Sequence, residues 1–158
     1  KQDDLKIHGH ALELRVYAED PLHGFLPSVG HLDRYKIPVG DGIRVDNGFE
    51  EGMDIPIYYD PMLAKLITYG KTREEAIELM LKAIDNYFIE GVQNTLAFGK
   101  FVFEHEAFLS GHFDTHFVKK YYSPKALKNQ TKTEARIAAL LAVKQYIIDQ
   151  KLVRLPNP

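Results

Sequence analysis

The sequence contains no cysteine. That excludes a disulfide framework, a thiolate nucleophile and any Cys-ligated zinc or iron–sulfur centre. It also lacks an apolar run of the ~18 residues that a membrane-spanning helix needs. Neither sign of charge dominates. Twenty Lys and Arg stand against 22 Asp and Glu, a net charge of −2, which argues against a nucleic-acid coat or a polybasic membrane anchor. No GxxxxGK(S/T) or GxGxxG segment follows a strand and opens a helix, so Gly40-Asp41-Gly42 reads as a tight turn and not as a phosphate loop. No HExxH is present either. His8/His10 (i, i+2) and His112/His116 (i, i+4) have no third ligand in view and read as loop histidines, with no metal site expected.

What remains is 158 residues, 45% of them hydrophobic, enough for one domain with a packed core. The chain begins with Lys1, and we expect a piece of a longer protein. From Ile7 to about Gly70 the period is two. Leu12, Leu14 and Val16 share one face of a strand over His10–Tyr17, with Glu13 and Arg15 on the other. Further strands are expected over His31–Tyr35, Ile43–Asp46, Ile55–Tyr59 and Leu63–Tyr69, with Asn47-Gly48 as a turn. Glu19-Asp20, adjacent in an extended stretch, point to opposite faces and read as the cap of the loop at Pro21.

After Gly70 the period becomes 3.6. Thr72-Arg73-Glu74-Glu75 has the form of a capping box, and Ala76, Ile77, Met80, Ala83, Ile84, Tyr87 and Phe88 predict a helix over Thr72–Glu90 closed by Gly91. A second helix is expected over Leu96–Leu109. Ser123–Gln130 reads as a linker, and Thr131-Lys132-Thr133-Glu134 as the cap of a third helix carrying Ile137, Leu140, Leu141, Lys144, Ile147 and Ile148. Nine Tyr and nine Phe serve packing better than base stacking at this charge balance. The fold class expected is α+β: a small, mainly antiparallel sheet followed by helices.

Five stretches, in order, resemble the C-terminal domain of biotin carboxylase, the ATP-grasp component of biotin-dependent carboxylases. Gly9-His10-Ala11-Leu12-Glu13-Leu14-Arg15-Val16-Tyr17-Ala18-Glu19-Asp20-Pro21 matches GHAxExRxxAEDP. Phe25-Leu26-Pro27-Ser28-Val29-Gly30 is like FxPSxG, and Gly42-Ile43-Arg44-Val45-Asp46 like GVRVD. Tyr58-Tyr59-Asp60-Pro61-Met62-Leu63-Ala64-Lys65-Leu66 matches YYDxMxxKL, and Gly70-Lys71-Thr72-Arg73-Glu74-Glu75-Ala76 the family's GxxRxxA. The resemblance covers about Ile7 to Val118. RVYAEDP, YYDPM and Asp85–Val92 are most like the propionyl-CoA carboxylase α subunit. Gln93-Asn94-Thr95 departs from the family's usual Thr-Asn, which bears on a helix cap, and Val29 departs from its PSPG.

The resemblance implies residues 1–122 as the biotin carboxylase C-terminal domain and 123–158 as a linker and helix leading toward the next region. It implies an ATP-dependent ligase in which ATP, Mg²⁺ and bicarbonate are bound by an upstream ATP-grasp domain. Biotin on a carrier domain is carboxylated, and a carboxyltransferase (β) subunit receives the product. This fragment alone would be inactive. Neither nucleic acid nor membrane is an expected partner, and a bacterial cytoplasm or a mitochondrial matrix suits such an enzyme. Arg44 matches the family's active-site arginine, facing bicarbonate or phosphate and the ureido oxygen of biotin. A guanidinium suits that place because it stays charged and its planar fork fits an oxyanion. Tyr58, Tyr59, Asp60 and Lys65 are expected to be structural, with Asp60 buried and paired. Arg73 resembles a region of subunit contact in some family members. The alternative is a non-catalytic protein-interaction module, separated from the first reading by whether an ATP-grasp domain is encoded upstream of Lys1.

Overall fold

The computed structural model describes residues 1–56, 58 and 60–152. The chain divides into two compact units between Tyr121 and Tyr122. The first is built on a three-stranded antiparallel sheet in which β8 (Met62–Gly70) lies between β1 (His10–Tyr17) and β6 (Ile43–Asn47). Pairing runs His10↔Gly70 to Val16↔Ala64 on one side and Ile43↔Thr68 to Asn47↔Ala64 on the other. The register puts Leu12, Leu14, Val16, Val45, Leu66 and Thr68 on one face, as the alternation in the sequence requires. That face is covered by α1 (Arg73–Asp85), through Ala76, Ile77, Met80, Ala83 and Ile84. Val16, Leu63, Leu66 and Met80 are completely buried. Thr68, also completely buried, donates its hydroxyl to the Ala76 carbonyl at 2.9 Å.

Short strand pairs extend this frame: β2 (Glu19–Asp20) with β3 (Leu26–Pro27), β4 (Gly30–His31) with β7 (Asp54–Ile55), and β5 (Arg34–Lys36) with β9 (Phe88–Glu90), all antiparallel. The strand expected over His31–Tyr35 is thus two, β4 and β5, each with its own partner. That expected over Ile55–Tyr59 is only β7, and Ile57 and Tyr59 lie outside the described residues. Asp20 does cap the turn at Pro21, its Oδ1 accepting the Leu22 amide at 2.8 Å.

Helix ends differ from the periodicity for identifiable reasons. At α1 the Thr72 hydroxyl accepts the Glu75 amide at 3.2 Å, while the Glu75 carboxylate takes the Lys71 amide at 2.8 Å, one residue before the usual partner. The helix stops at Asp85, not Glu90. Asn86 closes it, donating its Nδ2 to the Lys82 carbonyl, and Phe88–Glu90 pairs as β9 instead. The second expected helix is two, α2 (Leu96–Glu104) and α3 (Glu106–Leu109). The break is His105, extended at φ −76°, ψ 134°, whose Nδ1 accepts the Ala107 amide. A five-residue helix not expected from the sequence, α4 (Phe117–Tyr121), follows. The second unit holds α5 (Pro124–Leu152), so the stretch read as a linker is helical. Pro124 occupies the first helical position, where its missing N–H costs nothing, and a continuous helix leaves Thr131–Glu134 no free end to cap. Ile137, Leu140, Leu141, Ile147 and Ile148 stand exposed along it. Among the described residues no helix is long and apolar enough to cross a membrane.

A hydrogen-bonded chain of two buried phenols and the exposed Asn47 ties three elements together. Tyr35 donates to Asn47 Oδ1 at 2.6 Å and lies 2.6 Å from the Tyr87 hydroxyl. Because the one Tyr35 proton is committed to an acceptor, Tyr87 is the donor in the second bond. Tyr35→Phe strands the buried Tyr87 donor while the exposed Asn47 turns to water, and is expected to cost about 2 kcal/mol, against about 1 for Tyr87→Phe; chemical denaturation of each variant checks the order. Burial raises both phenols, Tyr87 further because Tyr35 adds to the effect. A raised phenol keeps its proton longer in the folded state. The stability it lends is present below the unfolded value of about 10 and is lost as pH climbs beyond it. The alkaline limb of a stability–pH curve should flatten in either Phe variant.

Candidate functional site

The face of the three-stranded sheet opposite α1 carries Ala11, Glu13 and Arg15 from β1, Lys65, Ile67 and Tyr69 from β8, and Arg44 and Asp46 from β6. The pairing register sets them in two rows, Arg44–Ile67–Glu13 and Asp46–Lys65–Arg15. Directly opposed residues lie roughly 5 Å apart at Cβ. The face is open and of mixed charge, with Tyr69 half exposed.

Arg44 stands here because Ile43 and Val45 point inward, and strand alternation forces 44 and 46 outward. Its side chain is 71% exposed. The guanidinium is held by Asp46 through Nε to Oδ1 at 3.1 Å and Nη2 to Oδ2 at 3.2 Å. Arg15 is engaged separately, its Nε on Glu13 Oε1 at 3.2 Å. The Glu13 contact is the main reason the Arg15 guanidinium is held above its ordinary value. An arginine with one edge of its fork occupied still offers the other edge to an oxyanion.

The other residues singled out in the sequence fall as follows. Lys65 lies on the same face, between Asp46 and Arg15. Tyr58 is exposed, and Tyr59 lies outside the described residues. Asp60 is exposed rather than buried, because it precedes the first residue of β8 and accepts the Met62 amide at 3.1 Å as a local turn. It raises Glu19 by like charge, secondary to burial of Glu19. Arg73 turns to its own chain. Its Nη1 and Nη2 donate to the Leu109 and Phe108 carbonyls at 2.8 and 2.5 Å, and its guanidinium carbon sits 4.8 Å from the centre of the Phe108 ring. Arg73→Ala, which frees the last carbonyls of α3, is expected to cost about 1–2 kcal/mol in a denaturation curve.

The Gln93–Thr95 departure has a structural counterpart. Asn94 Oδ1 takes the Leu96 amide, while the Thr95 hydroxyl accepts the Tyr17 amide at 3.0 Å, spending the cap residue on β1. Among the described residues no group of three or more His, Asp or Glu lies close enough to hold a metal ion; His112 and His116 are exposed. Cavities not foreseen include one of about 360 Å³ between Lys36, Val39, Lys82 and Phe88 and one of about 370 Å³ between Tyr17, Glu19, Phe25 and Phe98. Arg44 lines neither.

Residues 13–120 match the family model of the biotin carboxylase C-terminal domain. The chain is 47% identical over 121 residues to biotin carboxylase 1 of Bacillus subtilis, covering 77% of this chain and 27% of that protein. It is 46% identical over 145 residues to the human mitochondrial propionyl-CoA carboxylase alpha chain, covering 90% and 20%. Among solved structures, the biotin carboxylase subunit of a pyruvate carboxylase superimposes with a TM-score of 0.76 at 38% identity, covering 80% of this chain and 28% of that one. The chain thus spans about a quarter or less of the length of these relatives.

Proposed function

The chain belongs to the family of biotin carboxylase C-terminal domains, and from that premise we propose that it forms one wall of the biotin-carboxylating site of a full-length carboxylase, with Arg44 as its catalytic residue. The observation that carries this is Arg44 itself: an exposed guanidinium on a rigid strand, in the GVRVD-like segment, with one edge of its fork still free. The free edge of the Arg44 fork suits an oxyanion. In the working protein an upstream ATP-grasp domain would bind ATP, Mg²⁺ and bicarbonate, and biotin on a carrier domain would accept the carboxyl group. Arg44 orients the anion and faces the ureido oxygen. As N1′ gives up its proton, negative charge grows on that oxygen, and a cation already in place stabilises it without reorganisation.

Residues 1–122 are the domain in this reading, and 123–158 lead toward the next region of the subunit, which also meets a carboxyltransferase (β) subunit. The propionyl-CoA type is supported by the reach of the similarity. The aligned 145 residues of the human alpha chain exceed the 121 of the first unit, whereas the Bacillus biotin carboxylase aligns over 121. The compartment that goes with this reading is a mitochondrial matrix or a bacterial cytoplasm. The test is the rate at which the full-length protein carboxylates biotin with Arg44→Ala in place; an unchanged rate overturns the role of Arg44.

A further inference from the structure

Asp46 sits two residues from Arg44 on β6, and strand alternation brings both to the same face. Its carboxylate meets the guanidinium on the Nε/Nη2 edge, at 3.1 and 3.2 Å. A guanidinium has five N–H groups, and this contact uses one from each of two nitrogens. The Nη1/Nη2 edge is left intact, a second bidentate edge that points along the axis of the side chain. The neighbours favour this arrangement. Directly across from Arg44 is Ile67, which cannot compete for the fork, and Glu13 beyond it is engaged by Arg15. Lys65, across from Asp46, adds a second cation beside the carboxylate without taking it from Arg44.

We propose that Asp46 is a positioning residue: it holds the Nε/Nη2 edge of Arg44 so that the Nη1/Nη2 edge is presented to the oxyanion. The inference rests on the catalytic role given to Arg44. An unheld arginine on an exposed strand has four rotatable bonds to order on meeting its anion. A carboxylate that fixes the plane beforehand removes much of that cost. An amide in its place keeps the shape but offers one acceptor oxygen, so one of the two contacts is lost.

The experiment uses the full-length, biotin-loaded protein with Asp46→Asn, the smaller Asp46→Ser, Asp46→Glu, Arg44→Ala and the Asp46→Asn/Arg44→Ala pair. Asp46→Asn and Asp46→Ser should each lower kcat for biotin carboxylation roughly tenfold, the scale on which orienting partners act, with KM for MgATP and the melting temperature unchanged. Asp46→Glu, which keeps both oxygens, should restore most of the rate. In the Arg44→Ala background Asp46→Asn should add nothing. Crystal structures should show Arg44 in one orientation in the wild type and in several in Asp46→Asn. If Arg44→Ala is slow but Asp46→Asn is not, or if Arg44 keeps its orientation without the carboxylate, the positioning role is overturned and the role of Arg44 stands. An equal loss in both backgrounds also overturns it, because Asp46 would then act without Arg44. A wild-type rate in Arg44→Ala removes the underlying reading instead.

Discussion

Arg44→Ala in the full-length protein is expected to slow biotin carboxylation by ~10²–10³-fold, the usual loss when one preorganised stabiliser of developing charge is removed. Arg44→Lys should be poor too. An ammonium keeps the charge but has no planar fork, so it cannot hold Asp46 on one edge and an oxyanion on the other. Neither substitution should unfold the domain. The side chain is 71% exposed and its ion pair with Asp46 is at the surface, where such pairs contribute about 0–1 kcal/mol. A carboxybiotin assay beside a melting curve separates the outcomes. Slow turnover with an intact melt supports the assignment; a large fall in melting temperature in both variants would recast Arg44 as a structural residue.

Gly91→Ala is expected to be the most damaging single-methyl change to stability. Gly91 has φ +101°, a region L-residues rarely enter. A Cβ there would lie 1.9 Å from the His31 carbonyl oxygen and 3.1 Å from the Asp33 amide nitrogen. Both are backbone atoms and neither can swing aside, and the Asp33 amide is itself bonded to the Glu90 carbonyl at 3.0 Å. Relief would require opening the β5–β9 pair. We expect a loss of roughly 3 kcal/mol or more, and about ten degrees or more in melting temperature. Gly24→Ala is the control. Its φ is +72° with nothing within 4 Å of the added methyl, so only conformational strain of about 1 kcal/mol applies. Equal losses at the two positions would show that contact with the His31 strand is not the cause.

Those contacts explain what the sequence could and could not reveal. Strand alternation in Leu12–Val16 and Ile43–Asp46 assigns faces without any tertiary information, which is why Arg44 was legible as an outward residue, and the close spacing of short strands is why the sheet was legible as antiparallel. The Asp46 contact was not read from the sequence, although the two residues stand at i, i+2 on one face. The end of α1 was not. Tyr87 and Phe88 extend the 3.6-residue stripe, yet Phe88–Glu90 finds backbone partners in Arg34–Lys36, more than fifty residues earlier, and Gly91 serves that approach and not a helix cap. Likewise Phe101, Val102, Phe103, Phe108 and Leu109 are apolar on both sides of His105, so periodicity runs through a break that the imidazole makes by capping the next turn. The start of α5 did carry a signal, a Ser-Pro pair ahead of good helix formers, which the polar composition of 123–130 obscured. Asp60 was misplaced because a motif fixes order along the chain and not depth beneath the surface.

The Tyr87–Tyr35–Asn47 chain has a consequence for the opposite side of the sheet. Asn47 ends β6 on the same parity as Ile43 and Val45 and, though exposed, turns its amide oxygen to the Tyr35 hydroxyl. If β6 slid by one residue against β8, every side chain would change sides: Arg44 would enter the core and Val45 would meet water. Apolar burial already opposes that slip, but Ile43 and Val45 are only partly buried, so on this edge strand the hydrophobic latch is weak. The two phenols supply the missing one, since only the native parity delivers the Asn47 oxygen to the Tyr35 hydroxyl. Loosening that lock would expose its effect as a misaimed guanidinium on the far face, not as a missing one.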